Sequence, residues 1–189
     1  MMHLVYRRVA NWNFLRYKPI FSSKLTSELL HEEFKEWLEA EDDVAKLDAL
    51  CDIVFISLGT MWKCQFLLSD IEEAMHHADR VVLNMVNLNE LNPAYLIATH
   101  LAVFDNERDY PVIMTLSMVI SACLAQMLSM GLSNEQTIEA LFAVCDSNDT
   151  KLVEKTVPNQ KYGPGGKGAD FVPPTEALTK IIQAKKEFH

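Results

Sequence analysis

LHEEFKEWLEAEDDVAKLDALCDIVFI, residues 30–56, decides the fold. Glu32, Glu33, Glu36 and Glu39 crowd its first half, and Asp48 and Asp52 stand in an otherwise apolar second half. Leu29, Leu30, Phe34, Trp37 and Leu38 form the apolar stripe of one helix, which a hydroxyl at Thr26 or Ser27 would cap. EAEDD breaks the pattern, and Asp42 or Asp43 caps a second helix running to about Gln65. Glu33 and Glu36 are three apart, Asp48 and Asp52 four apart, so each pair shares a helix face. The spacing therefore predicts two helices meeting at a carboxylate cluster. Asp52 lies between Cys51 and Ile53–Val54–Phe55, where a charge is costly unless compensated.

A cation is the natural compensation. Two carboxylates about 5 Å apart repel by ~3 kcal/mol at an effective dielectric near 20. An oxygen-only donor set favours Mg²⁺, or Mn²⁺, over zinc or copper. The stretch contains His31 but no Glu-x-x-His pair, which argues against a ferritin-like di-iron site. Glu33, Glu36, Asp52 and one more carboxylate are the expected metal ligands, with Glu32 or Glu39 as the carboxylate that takes a proton from water. Such a cluster suits hydrolysis of a phosphoanhydride.

The flanking sequence extends the helical reading. Half of the 189 residues are hydrophobic, glycine and proline are scarce, and a single all-α domain with an irregular tail is expected. Further helices are expected from Ser69 or Asp70 to about Leu88, from Asn92 or Pro93 to Val103, from Val112 to Met130 with Gly131 as its stop, and from Ser133 to Cys145. The uncharged run at 111–134 is long enough for a membrane span, but its Ser, Thr and Gln residues favour a buried central helix. Residues 1–25 mix Trp12, Phe14, Tyr17 and Phe21 with Arg16, Lys18 and Lys24, and read as an arm on the body. Gly59, in mid-helix, invites close helix approach. Leu67–Asp79 echoes Gly131–Asp146 if two residues are gapped, as a degenerate hairpin duplication or a chance likeness would.

A helical body at 1–156 and a strap or lid with a short helix at 157–189 are expected. GPGGKG, residues 163–168, lacks P-loop spacing, and Thr175 is the expected cap of the last helix. Cys51, Cys64, Cys123 and Cys145 form no CxxC and read as reduced thiols, which fits a cytoplasmic protein without a signal peptide. A net charge of -9 argues against a nucleic-acid backbone binder.

HEEFKEWLEA followed by LDALCDIVFISLGT resembles the all-α nucleoside triphosphate pyrophosphohydrolases of the MazG/HisE superfamily, in particular the phosphoribosyl-ATP-pyrophosphohydrolase-like branch common in phages. Glu32, Glu33 and Glu36 match the family's EExxE, and Asp52 matches the end of its ExxD. The first position of ExxD falls on Ala49, and Asp48, one residue earlier, is the candidate replacement. AVCDSNDTKL and GKGADFVPP resemble the SNxxK segment and GK…PP tail of that branch. The resemblance implies a helical bundle of dimers or tetramers cutting a (d)NTP, with Mg²⁺, to (d)NMP and pyrophosphate. It also implies that Asn148, Lys151 and Lys167 contact the substrate. Phosphoribosyl-ATP hydrolysis and a non-catalytic binding protein of the same fold are the alternatives. Trp37, Trp62 and Phe66 are candidates for core packing or base stacking.

Overall fold

The computed structural model describes residues 2–87, 93–105, 111–153 and 166–185. These residues form eight helices and no strand: α1 Met2–Arg16, α2 Ser23–Glu39, α3 Asp43–Lys63, α4 Leu68–Asn87, α5 Pro93–Asp105, α6 Val112–Ser129, α7 Asn134–Asp149 and α8 Thr175–Lys185. The expected charged loop at 105–109 and most of the segment preceding Lys167 lie outside the described residues.

Local chemistry sets the boundaries. Asp42 caps α3 by accepting the Ala45 N–H at 2.8 Å. Ser133 and Gln136 complete a reciprocal capping box on α7. Other expected boundaries shift. Ser22 caps α2, so that helix begins a turn before Thr26. Helix α4 starts at Leu68, ahead of Ser69 and Asp70, and Thr175 is the first residue of α8 instead of its cap. Helix α7 runs one turn past Cys145, which carries Asn148 into its last turn.

The apolar helix α6 is packed against α3, α4, α5 and α7, and its residues Thr115–Cys123 are all buried. It is long and apolar enough to cross a membrane by composition, yet most of it is covered by the rest of the protein. Helix α3 lies beside it and also carries α1, α2, α7 and α8. The segment read as an arm is instead a core helix. Val5, Val9, Trp12 and Arg16 recur at helical spacing on its buried face. Cys51, Cys123 and Cys145 are free, buried thiols, and burial raises the pKa of each.

Gly59 permits the close approach of α1. A methyl group there would sit 2.9 Å from Asn13 Nδ2. That amide is buried and donates to Val9 O at 2.9 Å, so it cannot yield without losing its bond. Gly59→Ala gains ~1 kcal/mol of helix propensity against ~1–3 kcal/mol of overpacking. The expected result is a net loss, read as a lower Tm; a higher Tm would show that α1 shifts away at no cost.

The weak sequence echo has a structural counterpart with a different register. Gln65 and Gly131 are the two residues with positive φ among those described, and each follows the cap of a central helix. Phe66 N–H bonds Met61 O, and Leu132 N–H bonds Met127 O, the same wide turn in both places. The spacing from Gln65 to Gly131 also separates the ends of α2 and α5, the ends of α3 and α6, and the starts of α4 and α7. It pairs the buried residues Ile71, Ala74, Met75, Ala78 and Val82 of α4 with Thr137, Ala140, Leu141, Val144 and Asn148 of α7. Helices α2–α3–α4 and α5–α6–α7 are thus equivalent units, each with its last helix packed on the other's middle helix. No gap is needed. In the second unit Asp48 and Asp52 correspond to Met114 and Met118, and Glu33 and Glu36 to Thr99 and Ala102.

Candidate functional site

A short connection after Glu39 turns the chain back, so α2 and α3 pack closely as antiparallel neighbours. Thr26 of α2 and Thr60 of α3 meet at one end through their hydroxyl oxygens, 3.3 Å apart. Glu33 therefore comes opposite Asp52, and Glu36 opposite the turn of α3 that holds Asp48. Protein atoms crowd Asp52, and only an edge of the residue meets solvent. Asp48 is half-buried, and its Oδ1 is fully buried without a hydrogen-bond partner.

These charges lie within Coulombic reach of one another. Burial, then the charges of Asp52, Glu36, Glu32 and Asp48, push the Glu33 carboxyl up to about 8. Burial and Asp48 raise Asp52 to about 7, with Lys151 and Lys167 opposing. Burial also raises Asp48, again against the pull of Lys151 and Lys167. Lys151 is half-buried; burial lowers its pKa, while Asp52, Glu33 and Asp48 hold the proton on. Two lysines from the far end of the chain thus stand within Coulombic reach of carboxylates on α2 and α3.

The other expected residues fall differently. Glu32 is exposed and adds its charge to the site from beside Glu33. Glu39 is exposed at the end of α2, 3.7 Å from Lys35. Asn148 sits in the last turn of α7. It is buried, its Nδ2 donates to Val144 O at 3.0 Å, and its backbone carbonyl accepts from Trp12 Nε1 at 2.7 Å. Trp37 stacks on Phe34, ring centroids 5.7 Å apart, and its Nε1 is buried without a hydrogen-bond partner.

Sequence reasoning missed the groups that hold Lys151 and Lys167. Arg16 Nη2 donates to Lys151 O at 2.7 Å, and its Nε donates to Leu152 O at 3.2 Å. Leu152 N–H in turn bonds Gly166 O at 3.0 Å, next to Lys167. Gly168 lies so close that a Cβ there would be 2.8 Å from Leu152 Cδ2. The available signal was the period of Val5, Val9, Trp12 and Arg16.

The donor set suits a hard divalent cation: it is all oxygen, mutually repulsive and includes the orphaned Asp48 Oδ1. In the conformation seen, no group of three or more His, Cys, Asp or Glu side chains among the described residues is gathered tightly enough to hold a metal ion. Comparison of the chain with protein-family models, with curated proteins and with solved structures finds no significant match.

Proposed function

We propose that the chain is a Mg²⁺-dependent nucleoside triphosphate pyrophosphohydrolase that cuts between the α and β phosphates. The observation that supports this reading is that the carboxylates Glu33, Glu36, Asp48 and Asp52 lie within Coulombic reach of one another, and that Lys151 and Lys167 both act on Asp48 and Asp52. Carboxylates alone repel a polyphosphate, and lysines alone do not activate water. Together they suit a substrate that arrives with its own countercharge.

Glu33, Glu36, Asp48 and Asp52 would hold the cation, with Glu33 and Glu36 turning inward from α2. Mn²⁺ fits the same donors. Bound there, the cation would polarise phosphoryl oxygens and acidify water. Lys151 and Lys167 would pair with phosphate oxygens. Water attacks the α-phosphorus, the bond to the α–β bridging oxygen breaks, and pyrophosphate leaves. The proton released by the water passes to a carboxylate, Glu32 or Glu39.

The ungathered carboxylates favour one second reading, a binding protein that holds a polyphosphate without cutting it. One assay separates the two: pyrophosphate release from a panel of dNTPs, NTPs and phosphoribosyl-ATP with Mg²⁺. Release from at least one nucleotide is expected. Binding without release would establish the second reading, and neither binding nor release by folded protein would sink both.

A further inference from the structure

The end of α7 poses an electrostatic problem. A helix C-terminus presents unpaired carbonyls and the negative end of the helix dipole. Lysines nearby ordinarily fold back onto such carbonyls. Lys151, two residues beyond α7, is ideally placed to do so and would then be lost to the carboxylate site.

The α7 carbonyls have other partners: Trp12 Nε1 and the Lys151 N–H reach Asn148 O, Thr150 reaches Ser147 O, and Arg16 reaches Asp149 O and the two carbonyls just past the helix. The Arg16 side chain is 8% exposed and donates to Lys151 O, Leu152 O and, at 3.5 Å, Asp149 O. The guanidinium also lies 4.6 Å from the Trp12 ring centroid, which fixes its plane. Arg8 adds surface ion pairs to Asp146 and Asp149. Two cations from α1 therefore stand at the end of α7. The same peptide segment pairs with Gly166 through Leu152 N–H, and Thr150 Oγ1 accepts the Val172 N–H at 2.9 Å. The strand of chain bearing Lys167 is thereby tied to the residues that Arg16 holds.

We propose that Arg16 is a positioning residue: by holding the Lys151 and Leu152 carbonyls just past α7 it fixes the backbone from which the Lys151 ammonium reaches the carboxylates, and through the Leu152–Gly166 bond it sets Lys167 beside it. This rests on the reading of Lys151 and Lys167 as phosphate-binding groups. It does not require that the bound phosphate be hydrolysed.

The test is a double-mutant cycle between Arg16→Gln and Lys151→Ala, read as affinity for inorganic triphosphate with Mg²⁺ by titration calorimetry and, for turnover, as KM and kcat. Each single variant is expected to weaken triphosphate binding about tenfold and to raise KM with kcat nearly unchanged. The double variant is expected to be no worse than Lys151→Ala alone, because neighbouring groups acting through one contact are non-additive. Arg16→Lys, with a cation but no planar fork, is expected between wild type and Arg16→Gln. It also serves if Arg16→Gln does not fold. Arg8→Gln is the control, since it removes other α1–α7 contacts, to Asp146 and Asp149, without touching the carbonyls of Lys151 or Leu152. It is expected to lower Tm and leave triphosphate affinity intact. Additive losses, an equal loss of affinity in Arg8→Gln, or no triphosphate binding by the wild type would overturn the assignment. Triphosphate binding with a non-additive cycle but no hydrolysis would keep it and remove only the catalytic reading.

Discussion

In the Asp52→Asn variant, Mg²⁺-dependent pyrophosphate release falls at least ~100-fold, since loss of a supporting group around a bound metal alone costs ~10–100-fold. Its Tm stays level or rises. The two results belong together. Asp52 is surrounded by protein, and burial with Asp48 already raises its carboxyl toward neutrality. At the pH of assay its charge is a burden on the folded state, which the isosteric amide removes. A residue kept only for packing would show the opposite pattern, with Tm falling and turnover preserved. Full activity in this variant would exclude Asp52 as a ligand. Asp48→Ala then tests the replacement for Ala49: it should raise the Mg²⁺ requirement, whereas Glu39→Ala, which alters a carboxylate beside Lys35, should not.

The second large effect is on stability against pH. Glu33 and Asp52 have folded-state values of about 8 and about 7, above the ordinary carboxylate range, and Asp48 is raised too. Between the unfolded and folded values the native state holds more protons than the unfolded chain, so stability must fall as pH rises. The contribution is complete below about pH 4 and is lost through about pH 7 to 8. Without divalent cation, Tm is therefore expected to drop between about pH 5 and about pH 8.5, by roughly 2–4 °C per kcal/mol. Mg²⁺ at about a hundredfold excess over its Kd should restore ~2.7 kcal/mol at the higher pH. Differential scanning calorimetry at both pH values, with and without Mg²⁺, reads all four corners. A flat pH response would show that the carboxylates do not share a buried site. A fall in Tm that Mg²⁺ fails to reverse would show that they share one and bind no cation.

The acidic hairpin was legible because its signals are local. Asp42 as a cap, the three- and four-residue spacing of the acids, and Gly131 as a stop all act within one or two turns. The raised carboxyls of Glu33 and Asp52 follow from that spacing once the two helices fold back on each other. Helix α1 was obscured because its buried face ends in Arg16, a residue that pattern reading assigns to the surface; the distant carbonyls of Lys151 and Leu152 and the ring of Trp12 make its burial tolerable. The surroundings of Asn148 were hidden for the same reason. Its sequence context suggests a ligand contact, whereas the Trp12 bond and the extra turn of α7 draw it into the interior. The register of the two equivalent units was hidden by their composition. Aspartates in one correspond to methionines in the other, so the likeness lies in where helices begin, end and are covered.

That correspondence also bears on dilution. Helix α3 meets α6, its counterpart, inside a single chain, so the central contact of the fold is a reaction of order one. Two separate units would reach it only by collision, at a rate set by how much protein is present. Covalent linkage replaces that with a fixed effective molarity, on the order of millimolar for a short tether. The long apolar surface of α6 is consequently covered whether the protein is scarce or abundant, and any further association of chains is free to serve a purpose other than keeping that helix dry.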